Sequence, residues 1–537
     1  MIHLFSEDII FEGPGKFTDP FRYYPHPLVR KAASEVIGRI ESDSNLAGMF
    51  EEGKMLGVLI CSCPDGSTGY ITGFSGNAGG YSTIEGFVPP IFDLTGPEGY
   101  FKREEARISE LNRKISALAG SERLTDMKKR LDDCRKQADM ELEAMRLRMQ
   151  KSRKERDAIR TKTSDPDILS GLAGRSQFEK AGYRRLKTLW AERISGLQAE
   201  YDIICSELDG LKKLRARMSD ELQNWIFRQY IVHNRLGEEA CIADIFAGQR
   251  MVPPGGTGEC AAPKMLEYAF RNGLKPLAMG EFWYGRSPDT AVRTQGHFYP
   301  SCTSKCGPLL KFMLKGMDIS EIPLRADEPA VIFEDEAVIV VEKPGGMPSV
   351  PGLDGRTSLQ EWLIRRISGQ IHAVHRLDMD TSGVMVYAKT EEAAVKLRRQ
   401  FEEHSVRKIY TARLSPGPEK LEEGSAGTME IPLSPDYDER PRQKADRMQG
   451  KPAVTAYEVV SVNEDGSADV IFRPVTGRTH QLRVHSAHML GLAHPIAGDL
   501  LYGGYEADRL CLHALSIAFR HPVSGEEVCF TGRSLTY

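Results

Sequence analysis

The sequence predicts an α+β protein. Its C-terminal domain is expected on a mixed, mainly antiparallel sheet flanked by helices and loops, preceded by an α/β module carrying an inserted antiparallel coiled-coil hairpin. Three observations lead there. Short β-branched or alternating runs recur after residue 325, in VIVVEK, VMVYAKT, KIYTARL, TAYEVVSV and ADVIFRP, with helical AAVKLRRQFEEH and HQLRVHSAHMLG between them. Residues 101–230 turn abruptly to Glu, Lys, Arg, Leu and Met with almost no Pro, as long exposed helices require. The length of 537 residues exceeds what one core organises, typically about 100–200 residues.

Four segments follow in order. Residues 1–100 are punctuated by Gly, Pro and aromatics, as in GYITGFSGNAGGYS, which suggests short strands and turns rather than long helices. In residues 101–230, Leu124, Met127, Leu131, Cys134, Ala138, Leu142, Met145 and Met149 step by three and four, as do Tyr183, Leu186, Trp190, Ile194, Leu197, Tyr201, Ile204, Leu208 and Leu211. Two helices are expected, broken at Pro166, Gly171 and Gly174 and folded back on each other. The stretch RLRMQKSRKERDAIRTK near the tip is basic, either a solvated face or a track for a phosphate backbone. Residues 231–320 return to globular composition and are expected to pack with 1–100. The polar DISEIPLRADEPAV marks the boundary to the last domain, 325–537.

The apolar fraction of 41% and charged fraction of 27% are those of a globular protein, and no run reaches the roughly 20 apolar residues of a membrane span. The N-terminus lacks the features of a secretory signal, so a cytoplasmic location is expected. Ten cysteines over this length make no disulfide framework. Cys61 and Cys63, and Cys260 with Cys302 and Cys306 near His297, are zinc-like in type, but their spacing matches no standard finger; packed thiols are the expectation, and no metal.

HAVHRLDMDTSG, residues 372–383, concentrates His375, Arg376, Asp378 and Asp380 where a strand enters a turn. A carboxylate there serves as nucleophile, general base or turn cap, and Asp380, before Thr381 and Ser382, suits the cap better. A reactive carboxylate in an apolar cleft needs a cation to stay ionised. RPVTGRTHQLRVH, residues 473–485, supplies Arg478, His480, Arg483 and His485, with His480 and Arg483 three apart on one helical face.

HRLDMDTSG, RKIYTA, GRTHQLRVH, HPIAGDLLYG and RLCLHALSIAFRHP, in that order, together resemble the RluA-type RNA pseudouridine synthases, and EDEAVIVVEKPGGMPSVPG resembles the family's opening motif. RPRQKADRMQGKPAVTAYEVV is similar to the subgroup that modifies both a tRNA anticodon stem-loop and 23S ribosomal RNA. The resemblance implies that Asp378 is the catalytic aspartate, that Tyr410 stacks on the target base, and that Arg483 pairs with the aspartate. It further implies that Arg376 fills the space left by the extruded nucleotide. His375, Lys408, Arg478, His480 and Gln481 are candidate substrate contacts. No cofactor is implied, because the reaction has no net redox change. RNA is the expected partner, with self-association or a protein partner through the hairpin. The alternative is a noncatalytic RNA-binding or ribosome-assembly protein that keeps the fold. Residues 1–320 form an added module to which the family assigns no function.

Overall fold

The computed structural model describes residues 2–5, 15–94, 99–289, 291–320, 328–352, 355–367, 369–437 and 439–534. They fall into two compact units, one of residues 1–93 and 227–537, the other of residues 94–226. Of the boundary DISEIPLRADEPAV, residues 321–327 lie outside the described residues.

In the first unit, two stretches of chain separated by the helical segment share one sheet. Its strand order is His3–Leu4, Thr68–Phe74, Lys54–Ser62, Lys275–Tyr284 and Phe298–Tyr299, every pair antiparallel. The expectation of only strands and turns in residues 1–100 is corrected by a sixteen-residue helix, Pro27–Ser42. Pro27 stands at its first turn, where the missing N–H is no loss, and the side chain of His26 accepts from Leu28 N–H. Leu28, Val29, Ala32, Ala33, Val36 and Ile40 then present one apolar face to the sheet residues Val58, Ile60 and Phe282.

The same unit holds a ten-stranded sheet. Its main path runs Ala426–Glu430, Val454–Val462, Ala468–Pro474, Arg407–Leu414, Leu512–Arg520, Ser382–Ala388, Val338–Lys343 and Ala330–Glu334. Every pairing is antiparallel except Ser382–Ala388 beside Leu512–Arg520, which is parallel. Gly383, at φ 120°, lies so close to this neighbour that a Cβ would meet the Ala514 carbonyl at 2.2 Å. Apolar residues of Val338–Lys343 and Ser382–Ala388 alternate between two cores, Val340 and Val386 on one face, Val341 and Tyr387 on the other.

The second unit contains three helices, Tyr100–Ala119, Glu122–Arg160 and Pro166–Gln229, where two were expected. Ser121 starts the second by accepting from Leu124 N–H. Only Pro166 among the three expected breakers bounds a helix; Gly171 and Gly174 lie inside the third. A glycine costs a helix about 1 kcal/mol and does not stop it, whereas proline cannot follow a helical turn without losing a bond. The second and third helices pair antiparallel: Arg135 donates to Gln198 at 2.6 Å, Trp190 to Glu141 at 3.1 Å, and Arg156 to Glu179 at 2.6 Å. Leu131, Ala138, Trp190, Ile204 and Leu208 are buried along the expected seam.

Candidate active site

The loop carrying Asp378 lies between the short strand His372–Ala373 and Ser382–Ala388. Lys343 grips it from below. This fully buried ammonium donates at 2.8 Å to each of the Pro344, Met347 and Met379 carbonyls. Burial brings Lys343 down to about 7. Ser349 completes the clamp, donating to Leu377 O at 2.8 Å and accepting from Leu377 N–H at 3.1 Å. Thr381 N–H closes the turn on Asp378 O at 3.1 Å. The segment EKPGGMPS is thus a mould for the next motif in the chain.

Arg376, Asp378, Lys408, Tyr410, Arg478, His480, Gln481 and Arg483 line one cleft. Tyr410 reaches it because the pairing of Arg407–Leu414 with Leu512–Arg520 shifts register between Ile409 and Tyr410, and such a bulge re-aims the side chains beside it. Arg483 comes from the buried helix Gln481–Ala487. Before that helix His480 adopts a left-handed conformation, φ 53°, and its Nδ1 hydrogen-bonds the Tyr502 hydroxyl at 2.9 Å.

Arg483 has two carboxylates. Its Nε and Nη2 each bind Asp499 at 2.7 Å, while Nη1 lies 3.9 Å from Asp378 Oδ2. The Asp499 side chain is 0% exposed and that of Asp378 18%, so Asp378 is the one that can meet a substrate. Burial pushes the Asp378 carboxyl above its ordinary value; Arg483, Arg376 and Lys343 oppose this, and Asp499 reinforces it. Burial would raise Asp499 too, but the charge and hydrogen bonds of Arg483 hold it below the usual carboxylate range. Sequence reasoning gave Asp499 no role, although it is the acid of the quoted motif HPIAGDLLYG.

The remaining candidates divide. Lys408 donates to Thr476 O at 3.4 Å and is brought down to about 8 by burial. Gln481 is committed to structure: it accepts from the Thr476 hydroxyl and Arg478 N–H, and donates to Val454 O and Thr455 Oγ1. His375 is not part of the cleft lining. Its ring stacks on Phe401 at 4.7 Å, its Nε2 accepts from Val386 N–H at 3.1 Å, and burial brings it down to about 3. Asp380, expected as a turn cap, instead forms an ion pair with Arg22 at 3.0 Å.

Cys260, Cys302 and Cys306 line a second cavity, where Cys306 N–H donates to Cys302 Sγ at 3.4 Å. Cys61 is buried in the strand Lys54–Ser62. Among the described residues, no group of three His, Cys, Asp or Glu is set to hold a metal ion, and no helix is long and apolar enough to cross a membrane.

The family model described as RNA pseudouridylate synthase matches residues 337–488. The dual-specificity RNA pseudouridine synthase RluA of Escherichia coli K12 is 43% identical over 205 residues, covering 37% of this chain and 90% of that protein. The protein of the same name from Haemophilus influenzae is 39% identical over 211 residues, covering 38% and 92%. The solved structure of human RNA pseudouridylate synthase domain containing 1 is similar at 28% identity, with a TM-score of 0.34, covering 40% of this chain and 86% of that one.

Proposed function

The chain belongs to the RluA-type family of RNA pseudouridine synthases, and from that premise we propose that Asp378 is the catalytic carboxylate with which this enzyme isomerises uridine in RNA. The carrying observation is that Asp378 opens into a cleft beside Tyr410 and a cation, Arg483, that is locked in place by a second, closed carboxylate. A module that only bound RNA would need basic and aromatic groups but no such carboxylate. The noncatalytic reading is not favoured.

In the reaction the N1–C1′ bond breaks, the uracil turns while held, and a C5–C1′ bond forms; N1 ends protonated and C5 loses its proton, with no net oxidation. Asp378 acts as nucleophile toward the sugar or as base at C2′. Tyr410 offers a face to the base, which recovers about 1–3 kcal/mol of the unstacking that extrusion requires. Arg376, exposed at the cleft edge, fills the place the nucleotide leaves. Lys408 and Arg478 are the cations we assign to the flanking phosphates; His480, held by Tyr502, shapes the wall. No cofactor enters.

The relatives are named for dual specificity, and the stretch 440–460 resembles theirs, so we assign this enzyme a tRNA anticodon stem-loop, large-subunit ribosomal RNA, or both. We take its location to be the cytoplasm, the compartment of these RNAs. Mapping pseudouridines in total RNA from a strain lacking the gene tests the reading. One or more sites should disappear and return with the wild-type gene; an unchanged map would sink it.

A further inference from the structure

Charge is distributed unevenly along the helical unit. Its distal half, residues 146–187, carries thirteen Lys and Arg against five Asp and Glu, a net charge of +8. The rest of the same unit, 94–145 and 188–226, has sixteen against eighteen, a net of −2, and the whole chain is −4. Helix propensity does not demand this, since Glu serves an exposed helix as well as Lys or Arg. Of the thirteen cations only Arg156 is buried, paired with Glu179; the other twelve are exposed.

Their placement is ordered. Arg146, Arg153 and Arg160 repeat every seven residues, two helical turns or about 10 Å apart, on one side of a groove whose other side carries Lys180 and Tyr183. Phe178, 72% exposed, lies off the helical stripe of Ser176, Lys180 and Tyr183 that lines this groove, so the groove's character is set by its cations. Arg146 and Arg160 touch Glu143 and Asp157 at 3.4 and 3.3 Å. Exposed pairs of this kind hold by at most about 1 kcal/mol and yield readily to a phosphate.

We propose that the distal half of the helical pair is an RNA-binding arm that contacts the phosphate backbone of the substrate outside the nucleotides entering the cleft. The chemistry fits a polyanion: exposed cations at a regular spacing along one groove. The arm carries affinity without sequence choice, and the cleft carries choice. This rests on the reading of the chain as an RNA-modifying enzyme.

The test uses the full chain and unfractionated tRNA. Changing Arg146, Arg153, Arg160 and Lys180 to Glu should weaken binding about tenfold or more at ~0.1 M salt. The log–log salt dependence should become shallower by about three, while the first-order rate at saturating RNA stays within about twofold. Reversing Lys128, Lys129, Lys212 and Lys213, in the proximal half, should leave affinity and slope alone. Unchanged affinity and slope in the distal variant, an equal loss in the proximal one, or a changed oligomeric state with RNA binding intact would each overturn the arm. Asp378→Asn in the same assay separates the two proposals: full affinity and slope without product leave the arm standing, and undiminished product removes the cleft assignment alone.

Discussion

The cleft and the helical arm both depend on arginine, but under opposite physical conditions. Arg483 is 5% exposed and held by two bonds to Asp499, so its position relative to Asp378 is set by packing and by one buried carboxylate. Arg153 is 80% exposed, with Asp157 at 3.7 Å. A buried cation without its partner carries the full penalty of desolvation, whereas an exposed one is replaceable by any neighbour of like charge. The cleft should therefore fail abruptly under single substitutions, and the arm gradually, by the number of charges removed.

The sharpest break is Asp378→Asn. The amide keeps the shape but can be neither base nor nucleophile, so single-turnover product formation should fall by about a thousandfold or more while tRNA affinity stays within a few-fold. Asp380→Asn should remain active, since its carboxylate faces Arg22. Retained turnover in the first variant with loss in the second would reverse the choice of carboxylate.

Next comes Asp499→Ala, which leaves Arg483 buried with its main partner gone. Denaturant unfolding should show a loss of about 3–5 kcal/mol, against less than about 0.5 kcal/mol for Arg153→Ala on the arm. Equal effects in the two variants would erase the distinction between the regions.

Tyr410→Ala should slow the reaction at saturating RNA by about tenfold to a hundredfold, the value of one base stack, and Tyr410→Phe by much less. Equal rates for the two variants would show that the aromatic face does not matter.

The pH profile gives a smaller effect. In the proposed reaction it is the carboxylate form of Asp378 that acts, and burial holds its pKa above the ordinary 3.8. The rate is therefore full above the raised pKa and lost as pH falls through it. The charge of Arg376 opposes the rise, so Arg376→Gln should move this acid limb of kcat to higher pH. A shift to lower pH would contradict the sign.

The smallest expected effect tests how far the cleft extends into the N-terminal module. Tyr23 is buried, donating to Tyr299 O at 3.1 Å and accepting from Glu281 N–H at 2.8 Å. Its neighbours turn the other way, Arg22 to Asp380 and Tyr24 to Ala507 O at 2.6 Å. Arg22→Ala should lower kcat a few-fold with KM unchanged, and the exchange of Arg22→Asp with Asp380→Arg should recover part of it. No recovery would leave the pair as an ordinary surface contact.

Much of this was legible in the chain. The C-terminal motifs gave the fold class, and it was their resemblance to a known family, not the residue types themselves, that set Asp378, Tyr410, Arg376 and Arg483 together, as the cleft does. The period of Leu131, Ala138, Trp190 and Ile204 gave the paired helices, because a buried helical face writes itself at intervals of three and four. The charge of the arm is a property of composition alone. What only the tertiary structure decided is which charge meets which. Asp499 takes Arg483 from sixteen residues away, Lys343 supports the loop of Asp378 from an earlier strand, and Arg22 reaches Asp380 across more than three hundred residues. Such pairings leave no periodic trace, since an ion pair depends on distance after folding and not on spacing along the chain. His375 shows the same limit in reverse: its place in the motif suggested a substrate contact, and packing against Phe401 with Val386 N–H on its ring made it part of the core.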